Sequence, residues 1–216
     1  MRTALELAER VRFTDLLLEL GPDAPTLCEG WVARDLAAHM VVIEHPEAWV
    51  GGGSWRRFAL ANRLHDRVMD QQRTLPWAEQ VDRVRRGPNF GPFGWRAVRE
   101  RMYIREYLIH HEDLRRANGL GPRTGIPELQ AMAWKKATTV GKIGLKRAPV
   151  PKGYGLELAN PTGERAVVVQ GTPTITIHGD PLELLLYAFG RCSAAAVRVE
   201  GPDDAVSALQ TGVWKV

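Results

Sequence analysis

Arg105-Glu106-Tyr107-Leu108-Ile109-His110-His111-Glu112-Asp113 lies inside a helical segment of about residues 95–118 that stops at Asn118-Gly119. On a helix, the four-residue spacing of Glu106 and His110 puts both side chains on one face, about 40° apart in rotation and one turn apart along the axis. A carboxylate and an imidazole so placed can close on one metal ion. His39, in Asp35-Leu36-Ala37-Ala38-His39-Met40, is a third candidate ligand and also stands in helical sequence. Two helices can therefore supply a His/Glu/His set with coordination positions left open, which points to metal-dependent chemistry rather than a metal used for folding alone.

The same residues admit a plainer reading. His39 has Leu36, Met40 and Ile43 at helical spacing and so faces the core, where a lone histidine can be a satisfied core residue. Glu106 is followed by Tyr107, Leu108 and Ile109, and a buried carboxylate needs a partner. A metal is one such partner and an arginine is the other. His111 sits about 100° further round the helix than His110 and should not share its face. His45, six residues from His39, is rotated away as well. Asp113, three residues from His110, can orient that imidazole as a hydrogen-bond acceptor.

Outward from these segments, residues 3–20 form an amphipathic pattern closed by Gly21-Pro22-Asp23-Ala24-Pro25. A second helix runs from about Val32 to Val50, with Asp35 early in it and Pro46 in its last turn. Helices are expected over about 55–73 and from Pro76 to Arg86, separated by Gly51-Gly52-Gly53-Ser54 and followed by the breaker-rich loop 87–94. Ile126–Lys146 still reads as helix. Beyond Pro149, Pro151 and Gly153 the pattern turns to short β-branched runs at 156–158, 166–170, 174–178 and 197–200, with helices at 181–189 and 203–209. The expected architecture is a helical bundle over residues 1–148 and a small mixed α+β domain over 149–216.

Composition narrows the function classes. Arginines (23) far outnumber lysines (6), but 25 acidic residues are interleaved with them and the net charge is only +4, so a nucleic-acid footprint is not expected. The two cysteines, Cys28 and Cys192, are far apart and make neither a disulfide framework nor a cysteine-based zinc module, which suits a reducing cytoplasm. No secretory leader or membrane-spanning run is read in the chain, and no membrane partner is expected. Cys28 has no partner at Cys-x-x-Cys spacing and reads as a small packed residue. Gly51–Ser54 is not a phosphate loop, since no Lys-Ser/Thr follows it.

Leu27-Cys28-Glu29-Gly30-Trp31-Val32-Ala33-Arg34-Asp35-Leu36-Ala37-Ala38-His39-Met40 resembles the Cys-x-Gly-Trp…Asp-Leu-x-x-His signature of the mycothiol-dependent maleylpyruvate isomerase family. Glu106-x-x-x-His110-x-x-Asp113 resembles the second half of that signature, and the region after 150 is similar to the small C-terminal domain of some members. The resemblance implies a DinB-like four-helix bundle followed by the α+β domain. It also implies a divalent metal, usually zinc, on His39, Glu106 and His110. The open positions would receive mycothiol as a thiolate that attacks a small electrophilic substrate, in an isomerase or transferase. Gly190-Arg191 matches a pair whose arginine assists the isomerase, and Arg191 would suit a substrate anion. The same arginine equally suits a helix end, where the dipole favours a cation. One departure is Val32, where the family usually carries a serine or threonine cap. With Asp113 beside His110 and Arg191 on the substrate, the expected protein is a monomer or homodimer acting on small molecules. The alternative class is a non-catalytic bundle that stores or senses a metal or thiol.

Overall fold

The computed structural model describes residues 5–44, 59–88 and 95–211. They form two compact units, Met1–Leu120 and Gly121–Val216. The first is helical: α1 (Leu5–Leu20), α2 (Ala33–Glu44), α3 (Ala59–Arg73), α4 (Trp77–Arg86), α5 (Arg96–Met102) and α6 (Ile104–Ala117). The expected helix over 95–118 is thus two, broken at Tyr103 with no glycine or proline to mark the break. The Tyr103 side chain is buried, so the core holds the break. α1 packs on α4 and α6, and α2 packs on α3 and α4. Their shared core is built from Phe13, Leu17, Leu36, Met40, Val84 and Tyr107, each without solvent exposure. Burying side chains of this size contributes about 1.5–3 kcal/mol apiece.

A buried arginine crosses that apolar core. Arg10, on α1, has no solvent exposure. Its Nε donates to Glu6 Oε1 at 2.9 Å, its Nη1 donates to Glu44 Oε2 at 2.9 Å and to the Val84 carbonyl at 2.6 Å, and its Nη2 donates to Glu44 Oε1 at 2.5 Å. The guanidinium also lies 4.7 Å from the ring centre of Tyr107, whose hydroxyl donates to Glu44 Oε1 at 3.1 Å. Burial works against the charge, but Tyr107, Glu44 and Glu6 more than offset it and hold the Arg10 pKa above its ordinary value. Burial, reinforced by the Glu44 carboxylate, keeps Tyr107 protonated, its pKa well above the ordinary one.

The second unit opens with α7 (Pro127–Lys136), which continues through a π-turn (Ala137–Gly141) into α8 (Lys142–Leu145). A four-stranded sheet follows, of β1 (Gly155–Ala159), β2 (Arg165–Val169), β3 (Thr174–Gly179) and β4 (Val197–Glu200), in the order β2-β1-β3-β4. β1 and β3 are parallel and the outer pairs antiparallel. α9 (Pro181–Ala188) packs on β3 and β4, and α10 (Asp203–Thr211) ends the described chain. The parallel register sets Leu156 against Ile175 and Leu158 against Ile177, all four buried. Glu157 faces the other way, where it pairs with Arg165 and accepts from the Thr176 hydroxyl at 2.8 Å.

The last helix before the sheet ends at Leu145 and β1 begins at Gly155, while the compact units divide at Leu120/Gly121. The 127–145 helical segment belongs with the sheet unit because it packs on α9, where Gln130 Oε1 accepts from the Leu182 amide at 3.0 Å. Helical periodicity identifies the segment as amphipathic without saying which neighbour covers its apolar face. Among the described residues no helix is long and apolar enough to cross a membrane.

Gly87 closes α4 with φ +63°, and a Cβ there would lie 2.6 Å from Arg10 Nη1. Gly87→Ala therefore meets both a backbone that disfavours alanine and an immovable guanidinium. It should lower unfolding free energy by about 2–4 kcal/mol in urea titrations, and Arg10→Ala by about 3–5 kcal/mol, because it strands Glu44 and Glu6 in the interior.

Candidate metal centre

His39 sits on α2, and Glu106 and His110 on the first two turns of α6. Val32 precedes α2 and has no capping oxygen, but Asp35 supplies the other half of a capping box. Its Oδ2 accepts from the Val32 amide at 3.0 Å. Asp35 Oδ1 takes Arg73 Nε at 2.7 Å, so the start of the helix that carries His39 is fixed to the end of α3.

The structure brings His39, Glu106 and His110 together, with one ligand atom from each lying within 4.8 Å of the others. His110 Nε2 is 3.6 Å from Glu106 Oε2, and the rings of His39 and His110 meet edge-on at 5.0 Å. Zinc held by nitrogen and oxygen at ~2.0–2.2 Å in a tetrahedron spaces its ligand atoms roughly 3.3–3.6 Å apart. The Glu106–His110 pair already has this spacing and the third ligand atom lies within 4.8 Å of both, so the donor set fits a divalent ion. The two ways of accommodating Glu106 do not exclude each other: Arg105 Nε donates to Oε1 at 2.9 Å, and Oε2 faces His110.

His110 presents its other nitrogen to a different partner. Nδ1 lies 2.9 Å from Asp113 Oδ2, and Asp113 is fully buried. With a carboxylate as acceptor the proton belongs on Nδ1, and the Nε2 lone pair then points to the Glu106 and His39 side. His111 faces elsewhere, as its rotation requires: its Nδ1 is 3.2 Å from Glu9 Oε2 and its ring meets Phe13 edge-on at 6.0 Å. His45 lies outside the described residues.

Two further side chains adjoin the centre. The Trp31 ring sits 5.2 Å from that of His39 and walls it. Cys28 Sγ is 3.3 Å from Asp113 Oδ2 and 3.9 Å from His110 Nδ1, so it is more than a packed small residue. The one local signal was Thr26 two residues earlier, whose hydroxyl accepts from the Cys28 amide and donates to the Trp31 carbonyl, folding the loop back on itself. Cys192, in the second unit, is different: burial pushes its thiol up to about 11, which keeps it protonated at neutral pH.

Arg191, also in the second unit, follows a helix C-cap of Schellman form. Gly190 has φ +81°, its amide donates to the Tyr187 carbonyl, and the Arg191 amide donates to the Leu186 carbonyl. Arg191 Nη1 donates to the Phe189 carbonyl at 2.7 Å. The Gly-Arg pair thus has a structural reason to exist, and the cation sits at the negative end of α9.

No family model matches the chain, and no curated protein matches it. Among solved structures, a crystal structure of a histidine-to-alanine mutant of the mycothiol-dependent maleylpyruvate isomerase superposes with a TM-score of 0.57 at 20% identity, covering 90% of this chain and 91% of that one. A second crystal structure of the mycothiol-dependent maleylpyruvate isomerase superposes with a TM-score of 0.50 at 21% identity, with the same coverage. The chain has the fold of that isomerase. A helical unit followed by a small mixed sheet is therefore the isomerase architecture, as the motif resemblance implied.

Asp35→Ala removes both the Val32 amide's acceptor and the Arg73 partner. It should lower unfolding free energy by about 1–2 kcal/mol, measured by urea titration.

Proposed function

We propose that the protein binds one divalent ion, zinc by preference, on His39, Glu106 and His110, and uses it in a mycothiol-dependent isomerase or transferase reaction on a small electrophilic substrate. The convergence of these three side chains from two helices carries the reading. A two-histidine, one-carboxylate set with a position left open is a ligand pattern of catalytic rather than structural zinc. The shared fold supports the choice of thiol, since the structural neighbours are mycothiol-dependent.

An ion bound there would supply positive charge that lowers the pKa of an incoming thiol into the neutral range. The chain's own residues do the rest. Asp113 holds the proton of His110 on Nδ1 and so keeps Nε2 available. Arg105 fixes one oxygen of Glu106 and leaves the other directed at His110. Trp31 limits the freedom of His39 and presents an apolar wall. Arg191 is proposed as the group that binds a substrate anion, for which a guanidinium offers paired donors.

Purified protein should carry close to one equivalent of zinc. His39→Ala, Glu106→Ala and His110→Ala should each retain less than a tenth of it while keeping the fold by circular dichroism. Addition of mycothiol to the cobalt-substituted protein should produce a sulfur-to-cobalt charge-transfer band. If wild type and variants hold the same trace of metal, the metal assignment fails. If the metal binds and no band forms with mycothiol, the thiol assignment fails alone.

A further inference from the structure

We propose that Cys28 is a positioning residue for the His39/Glu106/His110 centre, acting through Asp113 on the ring of His110. The proposal rests on the metal reading above. Two donors meet on one carboxylate oxygen. The Cys28 thiol donates to Asp113 Oδ2 at 3.3 Å, and His110 Nδ1 lies 2.9 Å from the same oxygen. Asp113 has no solvent exposure, so water does not compete for that oxygen. The rigidity of the arrangement comes from the loop. The Cys28 amide donates to Thr26 Oγ1 at 3.2 Å, the Trp31 amide donates to the Cys28 carbonyl at 3.0 Å, and the Leu27 amide donates to the Asp113 carbonyl at 3.1 Å. The last bond ties the loop to the same residue whose side chain the thiol touches, so backbone and side-chain bonds both link the loop to Asp113.

The consequence is directional. An imidazole held only by its Cβ bond can rotate or exchange tautomers, and either change turns the Nε2 lone pair away from Glu106 and His39. The Nδ1–H···Oδ2 bond prevents this only while the carboxylate itself keeps its plane. The thiol adds a second donor on Oδ2 and so helps to hold that oxygen in place. An S–H group is a weak donor, so its contribution is orientation of a buried acceptor rather than bond strength. A purely apolar filler at position 28 would fill the same volume without this restraint.

The test compares Cys28→Ala, which deletes the donor, with Cys28→Ser, which keeps one. In metal-free protein, histidine ¹⁵N shifts should report a single Nδ1–H tautomer for His110 in wild type and Cys28→Ser, and a mixed state in Cys28→Ala. Zinc affinity, read by competition with a chromophoric chelator, should fall about 5–10-fold in Cys28→Ala, at or below the low end of outer-shell effects on metal sites, and stay within about 2-fold in Cys28→Ser. Urea titration of the metal-free variants separates any loss of packing from these two readouts. The proposal is overturned if Cys28→Ala keeps both the tautomer and the affinity of wild type, or if Cys28→Ser loses both together with Cys28→Ala. A wild type that binds no zinc would sink the metal reading instead, and the tautomer comparison would still decide the role of Cys28.

Discussion

A guanidinium with no access to water governs the helical unit. Arg10 reaches Glu6 on its own helix, Glu44 on α2, the Val84 carbonyl on α4 and the ring of Tyr107 on α6. Apolar contacts tolerate sliding, but a buried charge does not: any alternative packing that separates Arg10 from Glu44 leaves both uncompensated. Glu44 is five residues beyond His39 on α2, and Tyr107 is three residues before His110 on α6. The same ion network that holds the bundle therefore sets the spacing of the two helices that carry the metal candidates. Gly87 fits this scheme by leaving room for the guanidinium where any side chain would collide with it.

His110 connects this scaffold to chemistry because its two nitrogens face different worlds. Nε2 looks toward Glu106 and His39, and Nδ1 toward Asp113 and, behind it, Cys28. One side offers a place for a cation, and the other determines where the ring points. The Asp113 carboxylate is buried and its backbone carbonyl is bonded to the loop that holds the thiol, an arrangement that would pre-organise the ring for the proposed ion.

Much of this was legible in the sequence, for identifiable reasons. Four-residue spacing on a helix is a rigid geometric statement, so Glu106 and His110 had to share a face and His111 had to turn away, as it does toward Glu9. The β-branched runs after residue 155 are strands where expected. His39 stood as a third candidate in helical sequence of its own, and the motif resemblance set it with the other two, since nothing local relates residues 39 and 106. What stayed hidden depends on tertiary neighbours. Arg10 is one of 23 arginines, and no pattern in the sequence marks it as buried. Cys28 lacked a cysteine partner, and its true partner is a carboxylate 85 residues away. The packing of 127–145 on α9 is likewise a choice of neighbour that an amphipathic pattern does not encode.

The central claim is that His39, Glu106 and His110 hold one divalent ion. The most direct measurement is an anomalous difference map, collected across the zinc edge from crystals of the zinc-loaded protein. The account predicts one peak per chain within about 2.2 Å of one donor atom from each of the three side chains. A map with no peak there, or with its peak on Cys28 and Asp113 instead, would contradict it.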